Sequence, residues 1–259
     1  MSSLPGRTAL PASPPLRRPQ RVAGHVPVIK AIVFVLCLLP LARLVLFGFN
    51  DRLGANPVEF VTRSTGTWTL VMLCVTLAVT PLRRWFGWNL LLRYRRMLGL
   101  FAFFYACLHF TTYIWFDQWF DLSDIVRDVI KRPFITVGFT AFVLLLPLAI
   151  TSNNAMVRRL GRRWQPLHRL VYLIVVLAIL HFWWKKAGKN DIGEPMLYAA
   201  VVAMLLGTRL WYWWRGDRVR AGRRLAAPAA PLGAPGAPQA PASAFVQVAA
   251  QRGSRRSDA

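Results

Sequence analysis

The sequence predicts an all-α membrane protein, a bundle of six transmembrane helices. Three observations carry that prediction. Of 259 residues, 55% are hydrophobic and 11 are Trp. Six apolar stretches each come near the roughly 20 residues that cross a bilayer. Lys and Arg, which bring the net charge to +23, crowd the ends of those stretches. Almost nothing remains for a water-soluble catalytic domain.

Taken in order, residues 1–27 are rich in Pro, Arg and Ser, with no apolar period, and read as a disordered cytoplasmic tail. The pair Arg17–Arg18 is followed by PQRVAG and not by an apolar run, which speaks against a twin-arginine export signal. The first span, Val28–Phe49, contains Pro40 and Arg43 and no small-residue cleavage site, so it reads as a retained helix. Thr67–Leu82, Leu98–Phe116, Phe134–Ile150, Leu167–Trp184 and Met196–Trp214 follow, making residues 28–214 the six-helix domain. Residues 215–259 are first basic, then Ala/Pro-rich, and read as a disordered cytoplasmic tail.

Charge fixes the expected orientation. Arg83 to Arg96 carry five basic residues, Arg158, Arg159, Arg162 and Arg163 form a second group, and the segment after Trp214 opens with Arg215, Arg218, Arg220, Arg223 and Arg224. The alternate connections are poorer: Arg52 and Arg63; Arg127, Lys131 and Arg132 against Asp117, Asp121, Asp124 and Asp128; Lys185, Lys186 and Lys189. The positive-inside rule then puts both termini in the cytoplasm of a multi-pass membrane protein surrounded by lipid. The same distribution argues against nucleic acid as a partner, because the basic residues orient the chain and do not gather on a soluble face. Cys37, Cys74 and Cys107 lie inside apolar runs without the spacing of covalent haem attachment, zinc or iron–sulfur sites, and read as small core residues.

Three of the four histidines lie in predicted spans, and an ionisable ring is costly in hydrocarbon unless it marks a pathway or ligand site. His109 lies 12 residues beyond Met97, and His181 lies 13 beyond His168. At 1.5 Å per residue both rise roughly 18–20 Å along parallel helices. Two imidazoles at one depth suit the axial ligation of a non-covalent haem b that carries electrons, against the bland alternative of hydrogen-bonded core histidines. His168 sits at the cytoplasmic edge, where the position facing it on the third span holds Arg95 and Arg96 and no histidine. Its site is left open among a flavin, a quinone and a haem with another or no second ligand. Arg93, Arg95 and Arg96 could hold a phosphate or propionates with Trp164 as a stacking surface, or simply be the positive-inside cluster. Arg43 either snorkels or meets a propionate. His25 reads as inert. The acidic loop from Asp117 to Asp128 either meets a soluble partner or is simply solvated.

RYRRMLGL, CLHFTTY, TSNNAMVRRLG, WQPLHRLVYL and ILHFWW, in this order, with LGANPVEFVTRSTG in the first outer loop, resemble the MsrQ family (formerly YedZ), the haem-binding membrane subunit of the bacterial MsrPQ protein-methionine-sulfoxide reductase system. The resemblance covers roughly Val28 to Trp214. It implies a ferric-reductase-like transmembrane domain in the inner membrane carrying haem b and FMN. It also implies electrons drawn from the quinone pool or a flavin reductase and delivered to MsrP, a periplasmic molybdopterin enzyme. His109, His168 and His181 fall on the family's three characteristic histidines; Arg95, Arg96 and Trp164 as inner-site contacts are inferred from the residues alone. No catalytic residue for sulfoxide reduction is expected here.

Other readings differ in what they require. A ferric-reductase-like protein needs a separate cytoplasmic reductase, since no G-x-G-x-x-G nucleotide fingerprint follows a strand. A cytochrome b subunit of another periplasmic oxidoreductase differs only in its partner. A cofactor-free transporter or scaffold would be colourless.

Overall fold

The computed structural model describes residues 26–188 and 191–225. The predicted tails up to His25, Arg17–Arg18, Lys189 and everything after Leu225 lie outside these residues. Among them the elements are α1 (Val26–Phe49), α2 (Pro57–Phe86), α3 (Leu91–Thr112), a π-helical turn (Tyr113–Asp117), α4 (Leu122–Lys131), α5 (Pro133–Ile150), α6 (Asn154–Leu160), a 3-10 turn (Gly161–Arg163), α7 (Trp164–His168), α8 (Leu170–Ala187) and α9 (Gly193–Leu225). Six segments are long and apolar enough to cross a membrane: α1, α2, α3 with its π turn, α5, the run from α6 through α8, and α9. The chain is thus the multi-pass helical bundle the sequence predicts. Packing divides it at Leu210; the second unit, as far as it is described, is the continuation of α9.

Local chemistry sets where the helices begin and end. Asn56 caps α2 by accepting from the Glu59 amide at 3.0 Å, and Pro57 occupies the first turn, where its missing N–H costs nothing. The helix therefore starts ten residues before the predicted Thr67, bringing Thr62, Arg63 and Gly66 onto it. Gly87 closes it with φ 71° and an N–H bond to the Arg83 carbonyl, the left-handed conformation that glycine adopts without strain. Two connections expected as loops are helical. Asp121 caps α4 and Asn153 caps α6, each through its carboxylate or amide oxygen. The last helix also runs past Trp214 to Leu225, consistent with the good helix propensity of its arginines.

Inside the spans, Thr65, Thr69 and Thr76 donate to carbonyls one turn back on their own helix, while the buried hydroxyls of Thr62 and Tyr94 have no hydrogen-bond partner. α2 and α3 pack antiparallel, Thr62 lying against His109 near one end and Thr76 against Gly99 further along. α5 and α8 repeat this, with Phe134 against His181 and Ser152 near His168. One end of the bundle holds the α2–α3 and α5–α8 connections and most of the arginines; we call it the basic end. The opposite, acidic end holds α4 and the α8–α9 connection.

Between the hairpins lies a core of Leu73, Leu77, Ala102, Tyr105, Ile174 and Val175. Tyr105 is only 1% exposed, and its hydroxyl donates to the Cys37 carbonyl at 2.7 Å, tying α1 to α3. Arg209 ties α9 to two helices: it donates to the Leu77 carbonyl at 2.8 Å, to Thr80 at 3.1 Å and to the Tyr172 hydroxyl, and its guanidinium lies 4.9 Å from the centre of the Tyr172 ring. Removing one buried hydrogen bond while keeping the ring costs about 0.5–1.5 kcal/mol. Tyr105→Phe is therefore expected to lower thermal stability in detergent by that amount; an unchanged melting midpoint would show that the α1–α3 tie is inconsequential.

Candidate functional site

His109 on α3 and His181 on α8 meet in the bundle, with ring centres 6.2 Å apart and planes at 75°. The depth match read from sequence thus becomes an actual pair. Each ring is held the same way. His109 Nδ1 lies 2.9 Å from the Thr62 carbonyl, and His181 Nδ1 lies 2.7 Å from the Phe134 carbonyl. A carbonyl can only accept, so in both rings Nδ1 carries the proton and Nε2 presents its lone pair.

Glycines make room for both rings. A Cβ at Gly66 would lie 3.0 Å from Nδ1 and Cε1 of His109, and one at Gly138 would lie 2.7 Å from Nδ1 and 2.8 Å from Cε1 of His181. Each glycine sits one turn after the accepting carbonyl. Thr62, Gly66 and His109 map onto Phe134, Gly138 and His181 at a constant offset of 72 residues, and the buried Leu73 and Leu145 obey it too. The two antiparallel hairpins are therefore equivalent seats for one imidazole each. Sequence reasoning found the histidines and missed the four residues that seat them; the repeated 47-residue spacing from carbonyl to ring is the signal that could have found them.

An imidazole nitrogen binds a first-row metal ion at roughly 2.0–2.1 Å, so two rings sharing one ion have centres about 6.4 Å apart. The 6.2 Å between the ring centres of His109 and His181 is of that size. Among the described residues no three His, Cys, Asp or Glu side chains are grouped to hold a metal, so an ion between these rings must bring its other ligands, as haem iron does.

The remaining predicted residues gather at the basic end. The rings of His168 and Trp164 stack with centres 3.9 Å apart. His168 Nδ1 lies 3.1 Å from the Trp164 carbonyl, and Nε2 approaches Ser152 Oγ at 3.5 Å. Arg95 is within electrostatic range of His168. Arg96 donates instead to Asn154 Oδ1 at 2.7 Å, and Arg93 is exposed in the first turn of α3. The 72-residue offset carries Arg96 onto His168, so the positions that match at the acidic end differ at the basic end. Arg43 stacks over Phe47 at 4.8 Å on the α1 side of the bundle.

Residues 65–179 match the family model described as "Ferric reductase like transmembrane component", a stretch from within α2 to two residues short of His181. The chain is 63% identical over 188 residues to the protein-methionine-sulfoxide reductase heme-binding subunit MsrQ of Herminiimonas arsenicoxydans, covering 72% of this chain and 86% of that one. To its namesake in Ralstonia nicotianae it is 62% identical, covering 79% of this chain and 93% of that one. In Xanthomonas campestris the identity is 50%, with 70% and 83% covered. The chain belongs to the MsrQ family. No solved structure matches it.

This MsrQ-family chain adds an ionic cluster to the acidic end, on the same helices as the histidine pair. Lys186, five residues after His181, is only 6% exposed and meets both Asp191 and, at 3.1 Å, Glu194. Arg63, next to Thr62, reaches the same carboxylates at 3.8 and 3.1 Å. The cluster joins α2, α8 and the start of α9. A lysine so enclosed is costly unless paired, and its two acids come from the α8–α9 connection (Asp191) and the first turn of α9 (Glu194). The hydrogen bond from Lys186 holds the Asp191 carboxyl below its ordinary 3.8. A depressed carboxylate contributes stability above its unfolded value and loses it as pH falls through the folded one. The melting midpoint of the protein should therefore exceed that of Asp191→Asn above pH 3.8, with the gap closing on stronger acidification; a gap independent of pH would contradict the pairing.

Proposed function

We propose that the chain is a haem-binding electron-transfer subunit of a methionine sulfoxide reductase system. In this reading it sits in the bacterial inner membrane with both termini in the cytoplasm. It takes electrons from the quinone pool or a flavin reductase and passes them to MsrP, a periplasmic molybdopterin partner. The observation that carries the reading is the His109–His181 pair, two imidazoles with ring centres 6.2 Å apart whose Nε2 lone pairs are left free by the bonds at Nδ1 and which would together hold a haem. The relatives' designation as heme-binding subunits supports it.

His109 and His181 would hold a b-type haem, which when bound supplies reversible one-electron transfer. The protein's part is orientation and environment. The Thr62 and Phe134 carbonyls fix each ring's tautomer and raise its basicity as a ligand. Gly66 and Gly138 let α2 and α5 approach the rings closely enough for those bonds to form. The apolar spans keep water away, which tunes the potential of a bound iron. At the basic end, His168, Trp164 and Arg95 would form the entry site, open among FMN, a quinone and a second haem; Arg96 would border it from its bond with Asn154. The sulfoxide chemistry itself would fall to the partner, whose reaction restores an apolar methionine side chain.

The reading is tested by a reduced-minus-oxidised visible spectrum with pyridine haemochrome on detergent-purified protein. A b-type α-band is expected; His109→Ala and His181→Ala should each remove the haem that this pair would hold, while His168→Ala should retain it and instead slow reduction by quinol or reduced flavin. Colourless protein after expression with ample haem would overturn it.

The glycine seats give a second expectation. Disturbing the partners that orient a metal-bound histidine costs about 10–100-fold in affinity. Gly138→Ala, with its shorter contact, is expected to lose haem affinity by that factor and to shift the midpoint potential, and Gly66→Ala to do less. Equal, wild-type titrations for both would remove the glycines from the site.

A further inference from the structure

The connection between α3 and α5 turns its apolar face outward. Along α4, Leu122, Val126 and Ile130 are 76%, 53% and 76% exposed, and at 100° per residue they line one continuous stripe. Just before them Trp119 and Phe120 are also exposed, and Trp115 and Phe116 precede those at the end of the third span. One acid of the helix, Asp128, is held by the protein. Asp128 accepts from Gln118 Nε2 at 2.8 Å and from the Tyr113 hydroxyl at 3.4 Å, and pairs with Arg132 at 3.3 Å. Ile125 and Val129 are partly covered, and Thr136 on α5 donates to the Val129 carbonyl.

A helix packed in water would turn its whole apolar face inward; here only Ile125 and Val129 are partly covered, and the stripe of Leu122, Val126 and Ile130 is left outside. The backbone before it is also committed. Trp119 and Phe120 both have positive φ, 46° and 62°, a conformation that bulky residues avoid. Two bonds hold it in place: the Phe120 amide donates to the Ile114 carbonyl at 3.1 Å, and the Asp121 amide to the Gln118 carbonyl at 2.8 Å. The result is an abrupt change of direction at the end of a span, with two aromatic rings displayed at the corner.

We propose that α4 is an interfacial anchor, lying in the headgroup region of the bilayer leaflet at the acidic end, with Leu122, Val126 and Ile130 among the lipid chains and Trp119 and Phe120 at their boundary. Lipid is the occupant because the stripe continues the apolar surface of the third span through Trp115 and Phe116, and because aromatic residues at a span end favour the headgroup level. The polar side completes an amphipathic interfacial helix: Asp124 and Arg127 pair with each other at 3.6 Å and, with Lys131, are exposed on the side away from the stripe. The anchor fixes the height of the acidic end, and with it the depth of His109, which sits on the span that α4 terminates. It does not depend on what the histidines bind.

The test is spin-label accessibility on full-length protein in phosphatidylethanolamine and phosphatidylglycerol vesicles, with Cys37, Cys74 and Cys107 replaced by alanine and single cysteines placed at 122, 126 and 130, and at 124 and 127 as controls. Collisions with oxygen are expected to exceed those with a water-soluble nickel chelate several-fold at 122, 126 and 130, with the ratio reversed at 124 and 127. Free access of the nickel chelate to the stripe would overturn the proposal. So would protection of the stripe only after a soluble protein partner is added, which would make it a protein-docking face. Leu122→Ser with Ile130→Ser provides an independent reading: depth-dependent quenching of tryptophan by brominated lipid should fall, and unchanged quenching would contradict the anchor.

Discussion

The interaction on which this bundle most depends is the pairing of polar groups in hydrocarbon with partners inside the protein. The backbone achieves it by staying helical. Most side chains achieve it locally or across helices: Thr65, Thr69 and Thr76 of α2 bond back to their own turns, Tyr105 reaches the Cys37 carbonyl, and Arg209 donates to Leu77, Thr80 and Tyr172. The histidine pair is the same solution put to another use. Each ring's Nδ1–H is satisfied by a carbonyl of the neighbouring helix, and that satisfaction is what leaves a directed lone pair on Nε2. A bond demanded by burial therefore also prepares the ring as a ligand.

The repetition of this device explains the architecture around it. α2 with α3 and α5 with α8 are two antiparallel hairpins carrying carbonyl, glycine and histidine at matching positions 72 residues apart. Two equivalent seats facing each other produce rings at one depth without any further adjustment. Both hairpins also need a close approach of helices, and this is where glycine is required: any Cβ at Gly138 would occupy the space of the imidazole it supports.

The fold class and the histidine pair were legible because they rest on features that sequence states directly: apolar length, charge asymmetry and residue counts along parallel helices. The seats were not, because Thr62 and Phe134 act through backbone carbonyls and any residue type supplies one. Thr62 and Gly66 were further hidden by placing them before the second span; only the cap at Asn56 and Pro57 reveals that the helix already includes them. The ionic cluster was half visible. Lys186 and Arg63 read as ordinary flanking charges, and their convergence on Asp191 and Glu194 depends on how α2, α8 and α9 come together. α4 escaped for a different reason: its acids suggested a solvated loop, while the spacing of Leu122, Val126 and Ile130 carried the contrary signal.

The place where the repeat breaks is as informative as where it holds. At the acidic end histidine faces histidine, but at the basic end the offset sets Arg96 against His168. A guanidinium stays protonated and offers donors in a fixed fork, so it suits an anionic oxygen and not a metal ion. With Arg95 within range of His168 and Trp164 stacked on its ring, this level presents one imidazole, one flat aromatic surface and positive charge. Under the proposed reading, the two ends of the bundle therefore differ in chemistry: a pair of metal ligands at one level, and at the other one imidazole with a flat aromatic surface and positive charge that would take FMN, a quinone or a second haem. The seat itself is not repeated there: His168 Nδ1 lies against the Trp164 carbonyl of its own segment, whereas His109 and His181 each face a carbonyl of the neighbouring helix.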